Sequence, residues 1–232
     1  MTTRIGKTLA MLEKHHGDGE RLARLTREGF ERRYNEDFWA FWRTWMEPAY
    51  SEAPLVVDLG AGPGLFVAAL AERHPQLRAV GVECAPYMLD AVADLPDNAS
   101  MVCEDLHDPH LPLADGSVDA ALASVVLHEL NQPVRLLLEL RRCLKPGGRL
   151  LVQDWVRAPL DVYLRSQSDE VRVFDGAMSA DELENLFVHF IEHNRFSRGD
   201  LVYLLNHTGF AVLDTHLGKE GRYARLVAER RP

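Results

Sequence analysis

Asp58-Leu59-Gly60-Ala61-Gly62-Pro63-Gly64 is the stretch on which the reading of this 232-residue chain turns. It follows the apolar run Leu55 to Leu59 and precedes Phe66 to His74, whose pattern predicts a helix closed by Pro75. Glycines at alternate positions let a backbone turn sharply and approach a ligand closely, and the helix behind them offers unpaired N–H groups. The next apolar run, Arg78 to Glu83, ends in a carboxylate 19 positions after Gly64, where it can accept both hydroxyls of a ribose. This order of strand, glycine turn, helix, strand and acid fits a ligand that carries a nucleoside.

Outward from that unit the same rhythm continues. Apolar runs at 100–104, 118–125 and 149–155 alternate with helix-like segments at 86–93 and 134–144. Parallel strands need a helical crossover, so the alternation predicts a parallel sheet, apolar on both faces because helices cover each side. The chain closes with Ala211 to His216 and Arg222 to Ala228 around a turn at Gly218 to Gly221, two strands so tightly joined that they are antiparallel. The expected fold is α/β, a Rossmann-like doubly wound sheet of seven strands whose last strand is antiparallel. Upstream, Ile5, Leu9 and Leu12 mark one amphipathic helix and Leu22, Leu25 and Phe30 a second. Tyr34, Phe38, Trp42 and Trp45 then fall on one helical stripe, before a linker bracketed by Pro48 and Pro54. The expected division is an N-terminal helical cap over 1–50 and a main domain over 51–232. A mixed stretch at about 157–196 breaks the rhythm and reads as an insertion after the fifth strand.

Composition sets the outer bounds. Hydrophobic residues at 47% and charged residues at 26% suit a globular chain long enough to bury its own core. The run Ala120 to Leu127, interrupted only by Ser124, is too short to span a bilayer, and no secretory pattern opens the chain. Cys84, Cys103 and Cys143 show no metal-type spacing, and the first two read as buried strand ends. A reduced, cytoplasmic protein without a membrane span is expected. A net charge of −9 argues against a general nucleic-acid binder. Nothing in the chain specifies an oligomeric state.

The glycine spacing narrows the ligand. A dinucleotide loop reads Gly-x-Gly-x-x-Gly with its pyrophosphate at the helix N-terminus. Here it is Gly-x-Gly-x-Gly, and Asp58 stands two positions before its first glycine. A carboxylate there repels a pyrophosphate but suits an ammonium group. S-adenosyl-L-methionine has that ammonium and no phosphate.

At this point the chain, from about Leu55 onward, resembles the class I S-adenosylmethionine-dependent methyltransferases of the small-molecule, type 11 style. Val57 to Gly64 is similar to the family's first motif, with Asp58, Gly60, Gly62 and Gly64 as cofactor residues. Glu83-Cys84-Ala85-Pro86-Tyr87-Met88 resembles the ribose-holding motif, whose Met88 packs near the nucleoside. Glu104-Asp105-Leu106 is similar to the segment whose Asp105 meets the adenine amino group. Ser124 to Leu130 resembles the fourth-strand end that faces the methionine moiety, and Leu144-Lys145-Pro146-Gly147-Gly148 is a familiar marker before the fifth strand. The resemblance implies methyl transfer by in-line displacement to a small-molecule acceptor, with an O, N, S or C nucleophile left open. A non-catalytic binder of S-adenosylmethionine or S-adenosylhomocysteine, and a nicotinamide-dependent oxidoreductase, are the alternatives.

Alignment and desolvation supply much of the rate of such a transfer, and a base is needed only where the nucleophile must lose a proton. The candidates are His128, past the fourth strand, and Asp154, after the fifth; the first could equally pack beside the cofactor and the second cap a turn. Tyr34 and Trp42 of the aromatic stripe either roof the substrate or form helical core. His189-Phe190-Ile191-Glu192-His193 matches His-x-x-Glu-His, a zinc-peptidase pattern. With no third ligand assigned by sequence, His189 and His193 read as substrate-pocket residues and no metal is expected. Asn194 and Arg195 beside them suit an acidic or polar substrate.

Overall fold

The computed structural model describes residues 4–167 and 176–232, leaving aside a few side chains within helices, those of His189 and His193 among them. The strands β1 (Leu55–Leu59), β2 (Arg78–Glu83), β3 (Ala99–Cys103), β4 (Val118–Ser124), β5 (Leu144–Trp155), β6 (Phe210–Gly218) and β7 (Tyr223–Arg230) form one sheet in the order β3-β2-β1-β4-β5-β7-β6. The first five run parallel, and β7 inserts antiparallel between β5 and β6. This is the doubly wound sheet that the alternation predicts, with the hairpin at its end. The helices are α1 (Arg4–His16), α2 (Gly19–Glu28), α3 (Phe30–Arg33), α4 (Glu36–Trp45), α5 (Leu65–Arg73), α6 (Pro86–Leu89), α7 (Pro133–Cys143), α8 (Leu160–Gln167), α9 (Ala180–His193) and α10 (Arg198–His207). None is long and apolar enough to cross a membrane among the described residues.

The strand period of two divides the core into layers. Val57, Leu59, Ala121, Ala123, Leu150 and Val152 pack with Leu136 and Leu140 of α7 and Leu201 and Leu205 of α10. Their neighbours Val56, Ala120, Leu122 and Leu151 face the other way, onto Phe66 and Leu70 of α5. The edge strand β3 departs from the expectation of two apolar faces: it is only half covered, and Cys103 at its end is exposed rather than buried.

The N-terminal helices divide between two places. On α1 and α2, Leu12, Ala23 and Leu22 pack on Ala85 and Met88, so this pair lies across the start of α6. The α4 aromatics instead enter the second sheet layer and gather on Phe66, whose ring centre lies 5.2 Å from Tyr34, 5.9 Å from Phe38, 5.7 Å from Trp39 and 5.1 Å from Trp42. Of the two readings of the stripe, the structure takes core packing. Tyr34 also falls outside α4, because Asn35 caps a new helix by accepting from Phe38 N. Leu25 is 48% exposed, so the second amphipathic face is narrower than its spacing suggests.

The strand starts are held by one buried carboxylate. Asp119 accepts from Ser51 N at 2.9 Å, Leu55 N at 2.9 Å and Lys145 Nζ at 2.7 Å. That clamp draws the Lys145-Pro146-Gly147-Gly148 segment, expected to precede the fifth strand, into β5, which begins at Leu144 opposite Val118 before the register shifts. Burial pushes the Asp119 pKa up, but the Lys145 ammonium and the two N–H groups pull harder and hold it below the usual value. Its stabilising effect is therefore present above the unfolded carboxylate range and lost as pH falls through the lowered folded value. Asp119→Ala is expected to destabilise the protein by about 2–4 kcal/mol, because three donors lose their acceptor. A urea midpoint unchanged from wild type at pH 7 would show that the clamp carries no such weight.

Candidate active site

The sheet order reverses between β1 and β4, and the crevice outside those carboxyl ends is where an open α/β sheet binds ligands. The glycine loop occupies that point. Gly60, Gly62 and Gly64 have φ of +70°, +53° and +74°, left-handed values that favour glycine, so the alternate spacing has a direct structural cause. A Cβ at Gly60 would also come within 2.8 Å of Val126. Gly64 caps α5 and faces Met101 and Leu95 inside the fold, while Gly60 and Gly62 line the crevice.

A cavity of about 190 Å³ opens there, lined by the loop together with Thr8, Glu83, Met88, Leu106 and Ser124. A smaller recess of about 40 Å³ adjoins it, lined by Asp58, Arg33, Tyr34 and Ser124. Glu83 serves the loop as well as the cavity: one carboxylate oxygen accepts from Cys84 N and Ala85 N, the other from Gly62 N at 3.0 Å. Burial pushes its pKa up, and these three N–H groups oppose the shift. Asp58 is the contrary case. It is buried, and among the described residues its Oδ1 has no hydrogen-bond partner. Burial first, then the charge of Glu83, drives its pKa well above the usual value, while Arg33 pulls it back.

Asp105 lies just behind the lining, buried, with Oδ1 accepting from His107 N and Oδ2 from the Thr8 hydroxyl at 2.6 Å. Ser124 accepts from Gln153 Nε2 at 2.9 Å and meets the hydroxyls of Tyr34 and Tyr223. Burial raises both phenol pKa values, that of Tyr223 to about 12, so the two remain neutral hydrogen-bonding groups.

The catalytic candidates need correction. His128 is 1% exposed and lines neither cavity. Its Nδ1 sits 2.6 Å from Asp154 Oδ1, and its backbone N donates to Asp154 Oδ2. Its Nε2 lies 3.8 Å from Glu129, and it is Glu129 that reaches the cavity. Asp154 is equally buried and also accepts from Trp155 N, so it fixes the imidazole and the chain around it. Trp42, offered as a substrate residue, is fully buried and donates to the Tyr50 hydroxyl, which leaves it no face toward a ligand. Tyr34 does border the recess. Asn194 and Arg195 pin the end of α9 instead of facing substrate: Asn194 accepts from Ala158 N, and Arg195 donates to the carbonyls of Glu129 and Leu130. The side chains of His189 and His193 lie outside the described residues. Among the described residues no group of His, Cys, Asp and Glu forms a metal site.

Thr8, Arg33 and Glu129 line the cavity although the pattern did not single them out. Thr8 lies 97 positions from its partner Asp105, and no local signal connects them.

Three comparisons relate the chain to known proteins. Residues 57–152 match the family described as "Methyltransferase domain". A stretch of 102 residues is 40% identical to trans-aconitate 2-methyltransferase of Azoarcus sp. (strain BH72), covering 44% of this chain and 39% of that protein. Another of 107 residues is 36% identical to malonyl-[acyl-carrier protein] O-methyltransferase of Laribacter hongkongensis (strain HLHK9), covering 41% and 35%. The matched region spans well under half of these relatives' length. Across 93% of this chain and 97% of the other, the fold superposes with a TM-score of 0.67 and 18% identity on a chain from a complex between a methyltransferase activator and a methyltransferase of Haloferax volcanii.

Opposing effects set the protonation of His128. Burial lowers its pKa, but the Asp154 carboxylate raises it more and Glu129 adds to that, so the net shift is upward. The stability it contributes is complete below the ordinary histidine value and is lost as pH rises through the raised one. In an NMR titration the His128 imidazole is expected to change charge above about 6.5, the reference value. Asp154→Asn should bring that midpoint down, and a midpoint equal in both proteins would refute the coupling.

Proposed function

Because residues 57–152 belong to the methyltransferase-domain family, we propose that this protein moves a methyl group from S-adenosyl-L-methionine to a small molecule. The observation that carries the reading is Asp58 Oδ1, a buried acceptor without a partner beside a loop of three left-handed glycines. An uncompensated buried carboxylate is costly, and an ammonium group relieves that cost. A pyrophosphate would instead meet Asp58, Glu83 and Glu129 in one crevice, which disfavours a dinucleotide.

The residues present suit the cofactor along its whole length. Asp58 would take the methionine ammonium and Glu83 the ribose hydroxyls. Met88 and Leu106 would flank the base, with Asp105 toward its amino group. When bound, the cofactor supplies a methyl on a sulfonium, an electrophile that needs no protein acid. The chain's own part is to position and to exclude water. Helices α1 and α2 cover the nucleoside side through Thr8 and Leu12, the role expected of a cap. Ser124, Tyr34 and Tyr223 offer neutral hydrogen bonds beside the recess. Since His128 is enclosed, the acceptor either is already nucleophilic or gives up its proton to a cavity residue such as Glu129. The relatives named for trans-aconitate and for malonyl-[acyl-carrier protein] support an acceptor that is small, or is a small group on a carrier.

Calorimetry tests the assignment. S-adenosylhomocysteine is expected to bind, with NAD as a silent control; binding of NAD unaffected by excess S-adenosylhomocysteine would overturn it. Asp58→Asn should weaken S-adenosylhomocysteine by about 10–100-fold, the loss of one charge-assisted hydrogen bond. Because Asp58 holds its proton to unusually high pH, the ammonium ligand competes with that proton. Affinity should therefore fall as pH is lowered, and proton release should appear as a heat that depends on the buffer. A pH-independent affinity that survives Asp58→Asn would remove the ammonium from this carboxylate.

A further inference from the structure

A cluster of positive charge lies beside the recess, next to Tyr223, which neighbours Ser124 and Arg33 of its lining. On the far side of Ser124 from Glu83, strands β5 and β7 end together at the cross-strand pair Trp155 and Tyr223, whose rings meet at 5.3 Å. Lys219 Nζ lies 4.3 Å from the Trp155 ring centre and 4.8 Å from that of Tyr223. The Arg222 guanidinium lies 5.2 Å from Trp155 and 5.5 Å from Tyr163. Arg33 faces them from α3, lining both the cavity and the recess. Lys219 is near enough to Arg33, Arg32 and Arg222 that, after burial, these three cations are what disfavour its charge.

Among the described residues none of Arg33, Lys219 and Arg222 has a carboxylate within ion-pair distance. Gathering like charges against aromatic faces without a counter-ion works against folding, and cation–π contact offsets only part of it. The turn that presents Lys219 is strained as well. Lys219 and Glu220 have φ of +48° and +56°, left-handed values that are uncommon for residues other than glycine. Strain and repulsion concentrated on one side of a binding crevice mark a place that a ligand completes.

We infer that Arg33, Lys219 and Arg222 form the subsite for the charged end of the acceptor, and that the acceptor is a small carboxylate. Its carbon skeleton lies against Trp155 and Tyr223. The inference rests on the methyltransferase reading of the adjoining crevice and names the substrate class for it. Position in the sheet separates the two ligands. Glu83, Met88 and Leu106 follow β2 and β3, whereas Trp155, Lys219 and Tyr223 belong to the ends of β5, β6 and β7, on the opposite side of the switch point. The protein as a whole is acidic, with a net charge of −9, so this local positive field stands out against its surroundings.

The test uses the full chain in two successive titrations. S-adenosylhomocysteine is added first; if it does not bind, the methyltransferase reading fails by itself, before any acceptor probe is present. Succinate is then titrated into the S-adenosylhomocysteine complex, with neutral succinamide as its partner probe. Succinate should bind at least about tenfold more tightly than succinamide, and more weakly as salt is raised. Lys219→Gln and Arg222→Gln combined should weaken succinate by about tenfold or more while leaving S-adenosylhomocysteine affinity at the wild-type value and the melting temperature no lower than wild type. Equal binding of the two probes, or full succinate affinity in the double variant, overturns the inference. A loss of S-adenosylhomocysteine affinity in Lys219→Gln overturns it as well, because the cluster would then belong to the cofactor's own carboxylate.

Discussion

A buried carboxylate with an unused oxygen, Asp58 at the end of the central strand β1, is the constraint around which the carboxyl edge is arranged. Burying it alone is unfavourable, and the fold tolerates it because the neighbouring parts are fully satisfied. Strand β1 is paired on both sides, with β2 and with β4. The loop that follows could collapse onto Asp58 and quench it through a backbone N–H. Glu83 prevents this by drawing Gly62 N to itself. One acid thus holds the loop open while the other stays available to a cation.

The remaining buried carboxylates show how unusual that vacancy is. Asp119 has three donors and fastens the start of β1 to β5. Asp154 is occupied by His128 and Trp155 N. Asp105 is occupied by His107 N and Thr8. Each ties together elements distant in sequence, which is the common use of a buried charge that has found its partners. Asp58 is chemically the same group, but it lines a recess, and among the described residues its Oδ1 meets no donor.

The Thr8 contact gives the N-terminal helices a defined relation to the cofactor end of the crevice. Asp105 is the residue that resembles the family's adenine-amino acceptor, and here one of its oxygens is bonded to α1. Helices α1 and α2 line one side of the cavity, and α4 is bound into the core through Phe66. The stretch from 4 to 45 is thus anchored at one end and positioned over the site at the other. Arg33, between those two parts, is carried by this arrangement to the lining of both the cavity and the recess.

The amino-acid sequence alone determined the sheet, its helices and the loop, because those depend on local regularities. The continuous apolar runs of β1 and β4, the alternate glycines, and Glu83 at the end of β2 are all readable within about twenty residues. It also brought Asp58, Glu83, Met88, Leu106 and Ser124 to the carboxyl edge, since every strand end of a parallel sheet arrives there. The tertiary structure decided what each side chain can touch. His128 is enclosed because Asp154 reaches it from the next strand. Trp42 is core because Phe66 sits beneath it, and Arg33, Lys219 and Arg222 converge because α3 and the β6–β7 turn meet across the crevice. Such contacts join residues scores of positions apart, and no spacing rule along the chain encodes them.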